Sequence, residues 1–305
     1  MKIAAVVPNY NSAALVSRCA AALLAQDLPD GAQLEVVVVD DGSSDGSAAR
    51  LQAEFDGRIG LVRLPANIGQ AAARNAGAAG TDADWLLFVD SDCIPTDRRF
   101  VAAHLQAAAA ADLVFGRVWA PGPGFWDELQ RVAFAGRLRR FERGDVGAYT
   151  TQNVSMRADL FARARGFDPA LRHGFEDRDL FLRLAALGAR ATHAPDACVL
   201  HEDRIGLASL ARKMESAGYH SARTFARRHP RAYATMPFSR LDAGCHRWLR
   251  MVDVVAWPLA ALAARTDAPW LEWRWLPFAA RAALARLLYG LAYLHGTARR
   301  LRDGP

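Results

Sequence analysis

The chain has 305 residues, is 52% hydrophobic and 23% charged, and carries a formal net charge of +6, with a pI of about 9.5. That is enough apolar content for one full core with a smaller appended unit, and too ordinary a charge fraction for wholesale disorder. The basic balance favours anionic partners without choosing among nucleotides, phosphorylated lipids and membrane surfaces, while Cys19, Cys93, Cys198 and Cys245 form no C-x-x-C pair, which excludes a zinc ribbon or disulfide framework and points to a reduced compartment.

In chain order, Ile3–Val7 is a short apolar run that reads as a first strand, too short for a signal peptide. Ser12 is placed to cap a helix through Leu24. Pro29-Asp30-Gly31 is a turn, and Leu34–Val39 is a continuous β-branched run of the kind buried parallel strands carry. A helix over Ser47–Phe55 and a strand over Ile59–Leu64 follow, and Asn67-Ile68-Gly69-Gln70 opens an Ala-rich helix to Ala79. Next come strand Trp85–Val89, helix Arg98–Ala111 and strand Asp112–Val118. Pro121–Gly124 is a loop, Phe125–Arg143 an amphipathic helix, Thr150–Met156 a strand and Ala158–Arg165 a helix. A helix from Glu176 to Leu187 and a last strand, Ala191–Leu200, end the alternation. The βαβ pattern predicts a mainly parallel sheet sandwiched by helices, with ligands at the carboxyl ends of its strands.

Polar clusters fall at those ends. Asp90-Ser91-Asp92 offers two carboxylates at i and i+2, suited to one Mg²⁺ or Mn²⁺ and a diphosphate, though a structural turn has the same composition. Asp40-Asp41-Gly42-Ser43-Ser44-Asp45-Gly46 reads as a helix-capping loop or as a surface for a base or ribose. Gly69, Arg74 and Gly77 permit close backbone approach and one cation near a diphosphate. Alternatively, they mark a small-residue helix packed on the sheet with Arg74 solvated. Glu176-Asp177-Arg178-Asp179 at a helix start suits the dipole, or supplies a general base whose pKa must then be raised by burial or neighbours. His201 is a structural histidine or a metal ligand.

Taken together, Val7-Pro8-Asn9-Tyr10-Asn11, Val39–Ser47, Asn67-Ile68-Gly69 with Arg74-Asn75-Ala76-Gly77, Phe88–Asp92, Gly174–Leu180 and His201 resemble the family 2 glycosyltransferases of the GT-A fold. The resemblance covers residues 1–205 and implies an inverting, non-processive transfer from a nucleotide-diphosphate sugar, with UDP favoured and GDP and dTDP open. It implies nucleotide contacts at Pro8, Tyr10, Asp40, Asp41, Arg74 and Asp90. It further implies a divalent metal, Mn or Mg, at Asp92, Asp90 and His201, and catalytic roles for Asp177, as base, and Glu176. Gln152 and Asn153 would line the sugar or acceptor pocket. Processive members carry Q-x-x-R-W after the base; here Gly244-Cys245-His246-Arg247-Trp248 has Gly in place of Gln, so one sugar per encounter is expected. The acceptor is a saccharide or a lipid-linked one. A sugar nucleotidyltransferase is disfavoured because Pro8–Asn11 stands where a Gly-rich loop is expected. A binding or scaffold protein without turnover is disfavoured because the acidic positions are intact.

Residues 206–305 read as a helical extension, with the boundary near 205–240. Trp248, Trp257, Trp270, Trp273 and Trp275 lie there among Leu, Ala and Arg. Such helices suit a bilayer interface, or packing of the tryptophans onto the catalytic domain or a partner. Met251–Ala264 is too short to span, and Arg281 and Arg286 interrupt Trp275–His295. The chain is therefore expected in the cytoplasm, at most peripheral at the inner face of the membrane. No nucleic-acid module is present, and nucleic acid is not an expected partner.

Overall fold

A computed structural model describes residues 1–203, 205–266, 268–273 and 275–303. The chain divides into two compact units, the first comprising Met1–Pro121, Gln130–Pro169 and Glu176–Asp203, the second Gly122–Leu129, Ala170–Phe175 and Arg204–Pro305.

Elements follow in the order β1 (Lys2–Asn9), α1 (Ala13–Leu24), β2 (Gln33–Asp40), α2 (Ser47–Phe55), β3 (Gly60–Arg63), α3 (Gln70–Ala79), β4 (Trp85–Val89), β5 (Cys93–Pro95) and α4 (Phe100–Ala108). Then come β6 (Leu113–Trp119), α5 (Phe125–Glu142), β7 (Asn153–Arg157), α6 (Ala158–Arg163), α7 (Glu176–Ala186) and β8 (Ala191–His201). The strands form one sheet in the order β3-β2-β1-β4-β7-β6-β8-β5. Strands β1 to β4, β6 and β8 run one way, and β7 and β5 run against them. The mainly parallel expectation holds with those two exceptions. β5, the three residues directly after the second aspartate of the D-x-D, has no counterpart among the expected strands; it is too short to carry a period.

Alternation along β1 explains the layers. Ile3, Ala5 and Val7 join Val16, Leu23, Phe55 and Phe100 in one core. Ala4 and Val6 join Ala73, Phe88, Leu160 and Phe181 in the other. A sheet buried on both faces needs apolar residues at successive positions, which is why these strands read as continuous runs. Gly77 lets α3 lie against β1 and β2, since a Cβ there would come within 2.4 Å of Val6 Cγ1. Ser12 makes no side-chain cap. The Ala13 N–H instead donates to Asp45 Oδ2 at 2.9 Å, so a carboxylate from a distant loop takes over the capping position. The helix expected over Arg98–Ala111 is shorter at both ends, and the strand expected from Thr150 begins at Asn153.

In the second unit α8 (Leu207–Ser216) continues through one π-helical turn, Ala217–Ser221, into α9 (Ala222–Arg228). α10 (Pro230–Ala234), α11 (Leu249–Arg265) and α12 (Phe278–Arg302) follow. The expected mostly helical stretch Gly244–Arg300 is carried by α11 and α12, with breaks before Leu249 and between the two; Asp267 and Arg274 lie outside the described residues. Among the described residues, no helix is long and apolar enough to cross a membrane.

Candidate active site

The polar ends of β1 and β2 meet first. Pro8 is buried in β1 opposite Val39, and Tyr10, just beyond, is exposed. Asp40 is buried, with Oδ1 accepting from Asn9 Nδ2 at 3.2 Å. Asp41 is also buried, and its two oxygens accept the backbone N–H groups of Ile68 and Gly69 at 2.8 and 2.9 Å. Gly42, at φ +72°, approaches the Ala66 backbone so closely that a Cβ would lie 2.6 Å from it. The 67–69 loop is thus clamped onto the end of β2 before α3 begins.

α3 then delivers Arg74, which the sequence left open as a solvated side chain; it is 1% exposed. Its Nη2 donates to Asp90 Oδ1 at 2.6 Å, and its Nη1 lies 3.8 Å from both Glu176 Oε1 and Asp177 Oδ1. The guanidinium also stands over the Phe167 ring, 5.5 Å from its centroid. Burial disfavours the charge, but Asp90, Asp177 and Glu176 outweigh it and hold Arg74 above its ordinary pKa. One buried cation therefore joins the end of β4 to the start of α7. Asp177 Oδ1 also accepts the Thr151 hydroxyl at 2.6 Å.

Asp92 lies on the turn between β4 and β5. β5 pairs antiparallel with the end of β8, setting Cys93 opposite His201, and the Glu202 N–H donates to the Asp92 carbonyl at 2.9 Å. His201 Nε2 is consequently 3.5 Å from Asp92 Oδ2. Asp92, Cys93 and His201 present ligand atoms within 4.8 Å of one another. Burial pushes the Asp92 carboxyl above its ordinary range; His201 opposes the rise, and Asp90 and Asp203 add to it. Excess negative charge beside an imidazole nitrogen fits a divalent cation with oxygen and nitrogen ligands. Burial, with Asp92 and Asp90 nearby, drives the Cys93 thiol well up.

Gln152 and Asn153 separate in role. The Gln152 carbonyl accepts the Asp90 N–H at 3.3 Å, and its side chain accepts from Thr150 at 2.9 Å. Asn153 is 1% exposed, lines the cavity that Arg117 and Trp119 enter, and bonds its amide to three elements of the fold. Its Nδ2 donates to Arg117 O at 3.0 Å and Ala197 O at 2.8 Å, across a register shift in the β6–β8 pairing between Gly116 and Arg117. Its Oδ1 meets His104 Nε2 at 2.8 Å, and His104 Nδ1 meets Ser155 Oγ at 3.0 Å. Burial pulls His104 down to about 4, leaving it neutral. Bulges beside active sites re-aim side chains. Here the extra residues, 195–197, lie on β8 between Ala194 and Cys198, and the partner strand β6 carries Arg117 and Trp119 into a cavity of about 220 Å³ that Arg131, Phe134 and Arg137 of α5 also line. Phe134 meets the His201 ring edge-on, with centroids 6.3 Å apart.

The glycosyl transferase family 2 model matches residues 4–164. The chain belongs to glycosyl transferase family 2. Succinoglycan biosynthesis protein ExoU of Rhizobium meliloti (strain 1021) is 31% identical over 263 residues, covering 80% of this chain and 72% of that protein. Its companion ExoO is 31% identical over 234 residues, covering 69% and 63%. The pre-mycofactocin glycosyltransferase of Mycobacterium tuberculosis is 29% identical over 78% of this chain and 50% of that protein. The family 2 chain thus spans less than two thirds of ExoO and half of the mycobacterial protein. Among solved structures, the mannosyltransferase PcManGT from Pyrobaculum calidifontis, in complex with GDP-Man and Mn²⁺, has a TM-score of 0.59 at 23% identity, covering 99% of this chain and 88% of that one. Residues 1–349 of S. aureus TarS with UDP-GlcNAc give 0.51 at 18%, covering 100% and 92%. At such identities the likeness is one of fold, and the fold is GT-A.

Sequence reading of this family 2 chain missed Thr151, His104 and Ser155. Thr151 adjoins Gln152, but hydroxyl residues near a strand start carry no distinctive pattern. His104 sits mid-helix with no polar neighbour to mark its partners.

Proposed function

We propose that this family 2 chain is an inverting glycosyltransferase that moves one sugar from a nucleotide-diphosphate donor to a hydroxyl of a saccharide or lipid-linked acceptor. The observation that carries this reading is the shared guanidinium: Arg74 contacts Asp90 at 2.6 Å and lies 3.8 Å from Asp177, so donor and base sides meet at one buried group. In this reading Pro8, Tyr10, Asp40 and Asp41 frame the nucleotide end, with Asp41 acting through the 67–69 loop it clamps. Asp92 and His201, with Asp90, are the metal ligands. A divalent cation held there supplies positive charge to the departing diphosphate. The Asp177 carboxylate takes the acceptor hydroxyl proton as that oxygen bonds to the anomeric carbon. The C–O bond to the diphosphate breaks on the opposite face, its electron pair leaves with the diphosphate, and the anomeric configuration inverts. Thr151 and Arg74 hold the Asp177 carboxylate in place. Glu176 orients donor or acceptor, and Gln152 and the Asn153-stitched bulge shape the sugar and acceptor side. UDP is the favoured nucleotide, and neighbours of the same fold bound to GDP-Man and UDP-GlcNAc support a donor of this class. The partner set also includes a membrane surface on the cytoplasmic side, whose physical basis lies in α11.

The deciding experiment is a thermal-shift panel of UDP-, GDP- and dTDP-sugars with and without Mn²⁺, on wild type and Asp92→Ala. A donor at about 100 times its dissociation constant stabilises by roughly 2.7 kcal/mol. The expected result is a metal-dependent shift with one donor that Asp92→Ala loses. A shift indifferent to metal and to Asp92 overturns the metal assignment. Donor binding without turnover of any acceptor favours a binding protein instead.

A further inference from the structure

Helix α11 presents an apolar face to solvent. Trp248, Met251, Val254, Val255, Leu259 and Leu262 are each 61–73% exposed, and Pro258 lies on the same side. Side chains that recur every three or four residues share one helical stripe, so these positions form a continuous surface rather than scattered exposures. The orientation is enforced from the other side. Asp253 is buried, its Oδ1 3.0 Å from His295 Nδ1, and its Oδ2 accepts from Arg302 Nη1 at 3.1 Å. Trp257 stacks on His295 with centroids 4.1 Å apart, and Leu249 packs with Leu294 and Ala298 of α12. The single acid of α11 is thus drawn into the protein, away from the apolar stripe.

Charge says what covers the stripe. Arg247 and Arg250 at its start and Arg265 at its end are exposed, and α11 exposes no acid. An antiparallel copy of the helix would bring these arginines near one another with no carboxylate between them. An anionic lipid surface accepts the apolar side chains between headgroups and pairs with the arginines, whose long stems let the charge stay in the headgroup layer. Trp273 and Trp275, 51% and 73% exposed, add the amphipathic rings favoured at such an interface. At 17 residues with an internal proline, α11 lies along a bilayer rather than across it. We propose that α11 is an in-plane docking helix that seats the C-terminal unit on a membrane leaflet rich in anionic phospholipid. This inference rests on the geometry of α11 alone and stands whether or not the donor reading does.

The test is flotation of the full chain with phosphatidylcholine vesicles, with and without about one quarter phosphatidylglycerol, at low salt and at about 0.5 M salt. The variants are Val255→Glu/Leu259→Glu and Arg247→Gln/Arg250→Gln. Binding is expected on the anionic vesicles, weakened by salt and by the arginine variant, and reduced about tenfold or more by the glutamate variant. The unfolding midpoint and any donor-induced thermal shift should stay unchanged in both variants. Absence of binding to anionic vesicles at low salt overturns the inference. So does equal binding to neutral vesicles at all salt concentrations, or a dimer by light scattering that the glutamate variant dissociates, which would give the stripe to a second copy of the chain.

Discussion

Two loops of the first unit end buried strands in aspartates, and they hold those charges in opposite ways. After β2, Asp41 is saturated by two backbone N–H groups, so its carboxylate is spent on fixing residues 67–69. After β4, the Asp92 carboxylate meets, among the described residues, a weak thiol contact at 3.5 Å and an imidazole 3.5 Å away, with Asp90 and Asp203 raising its pKa further. A carboxylate bonded to the backbone is architecture. One half-buried among like charges, as Asp92 is, keeps its oxygens free of backbone donors and suits the proposed cation. The same residue type at equivalent positions of one sheet therefore serves two ends, and local hydrogen bonding decides which.

The sharpest way to break that contrast lies at the charge cluster beyond β4. Asp177→Asn removes the proposed base while leaving a group that Thr151 can still bond, and kcat is expected to fall by about 10²- to 10⁴-fold. The donor-induced thermal shift should persist; losing both together would make Asp177 a donor ligand instead. Arg74→Met strips the cation from between Asp90, Glu176 and Asp177. Breaking a buried pair costs about 3–5 kcal/mol, and urea unfolding of the metal-free protein should show a loss of that order; a loss below about 1 kcal/mol would mean that water already compensates these charges.

His104 tests the polar stitch beneath the β6–β8 bulge. Its folded pKa, about 4, lies below the ordinary 6.5, so the unfolded chain binds the proton first as pH falls. The stability it contributes is full above about pH 6.5 and is lost towards pH 4, with about 2–3 kcal/mol gone by pH 4.5. Wild type and His104→Gln, compared by urea midpoint at pH 7 and pH 4.5, should differ by that slope; parallel pH dependences would contradict it. The smallest effect is expected at the saturated aspartate. Asp41→Ala leaves two N–H groups unbonded, at a cost of about 1–3 kcal/mol. Donor affinity should recover at low temperature, where the 67–69 loop reorders, and a persistent loss in fully folded protein would give Asp41 a direct nucleotide contact.

Most strands of the sheet were legible because burial on both faces forces continuous apolar runs, and their polar stops were legible as clusters at one sheet edge. β5 was not legible: three residues cannot show a period, yet its pairing with β8 is what sets His201 beside Asp92. Asn153 was legible as belonging near the site but not in its role, since an amide's partners are carbonyls from strands far away in sequence. In the C-terminal part, the tryptophans and arginines were visible in composition, but which of them face solvent was not. Trp257 packs on His295, whereas Trp248, Trp273 and Trp275 stay outside.

By itself the sequence determined the α/β alternation, the carboxyl-end clusters and the identity of the acids, because periodicity and turn chemistry act over a few residues. Tertiary structure alone decided that Arg74 is buried between two carboxylate clusters, that Asp41 is spent on a loop while Asp92 is not, and that Asp253 turns inward so that α11 shows an apolar face. Each depends on groups brought within hydrogen-bonding or Coulomb range from distant parts of the chain, where desolvation and pairing, rather than local propensity, set the outcome.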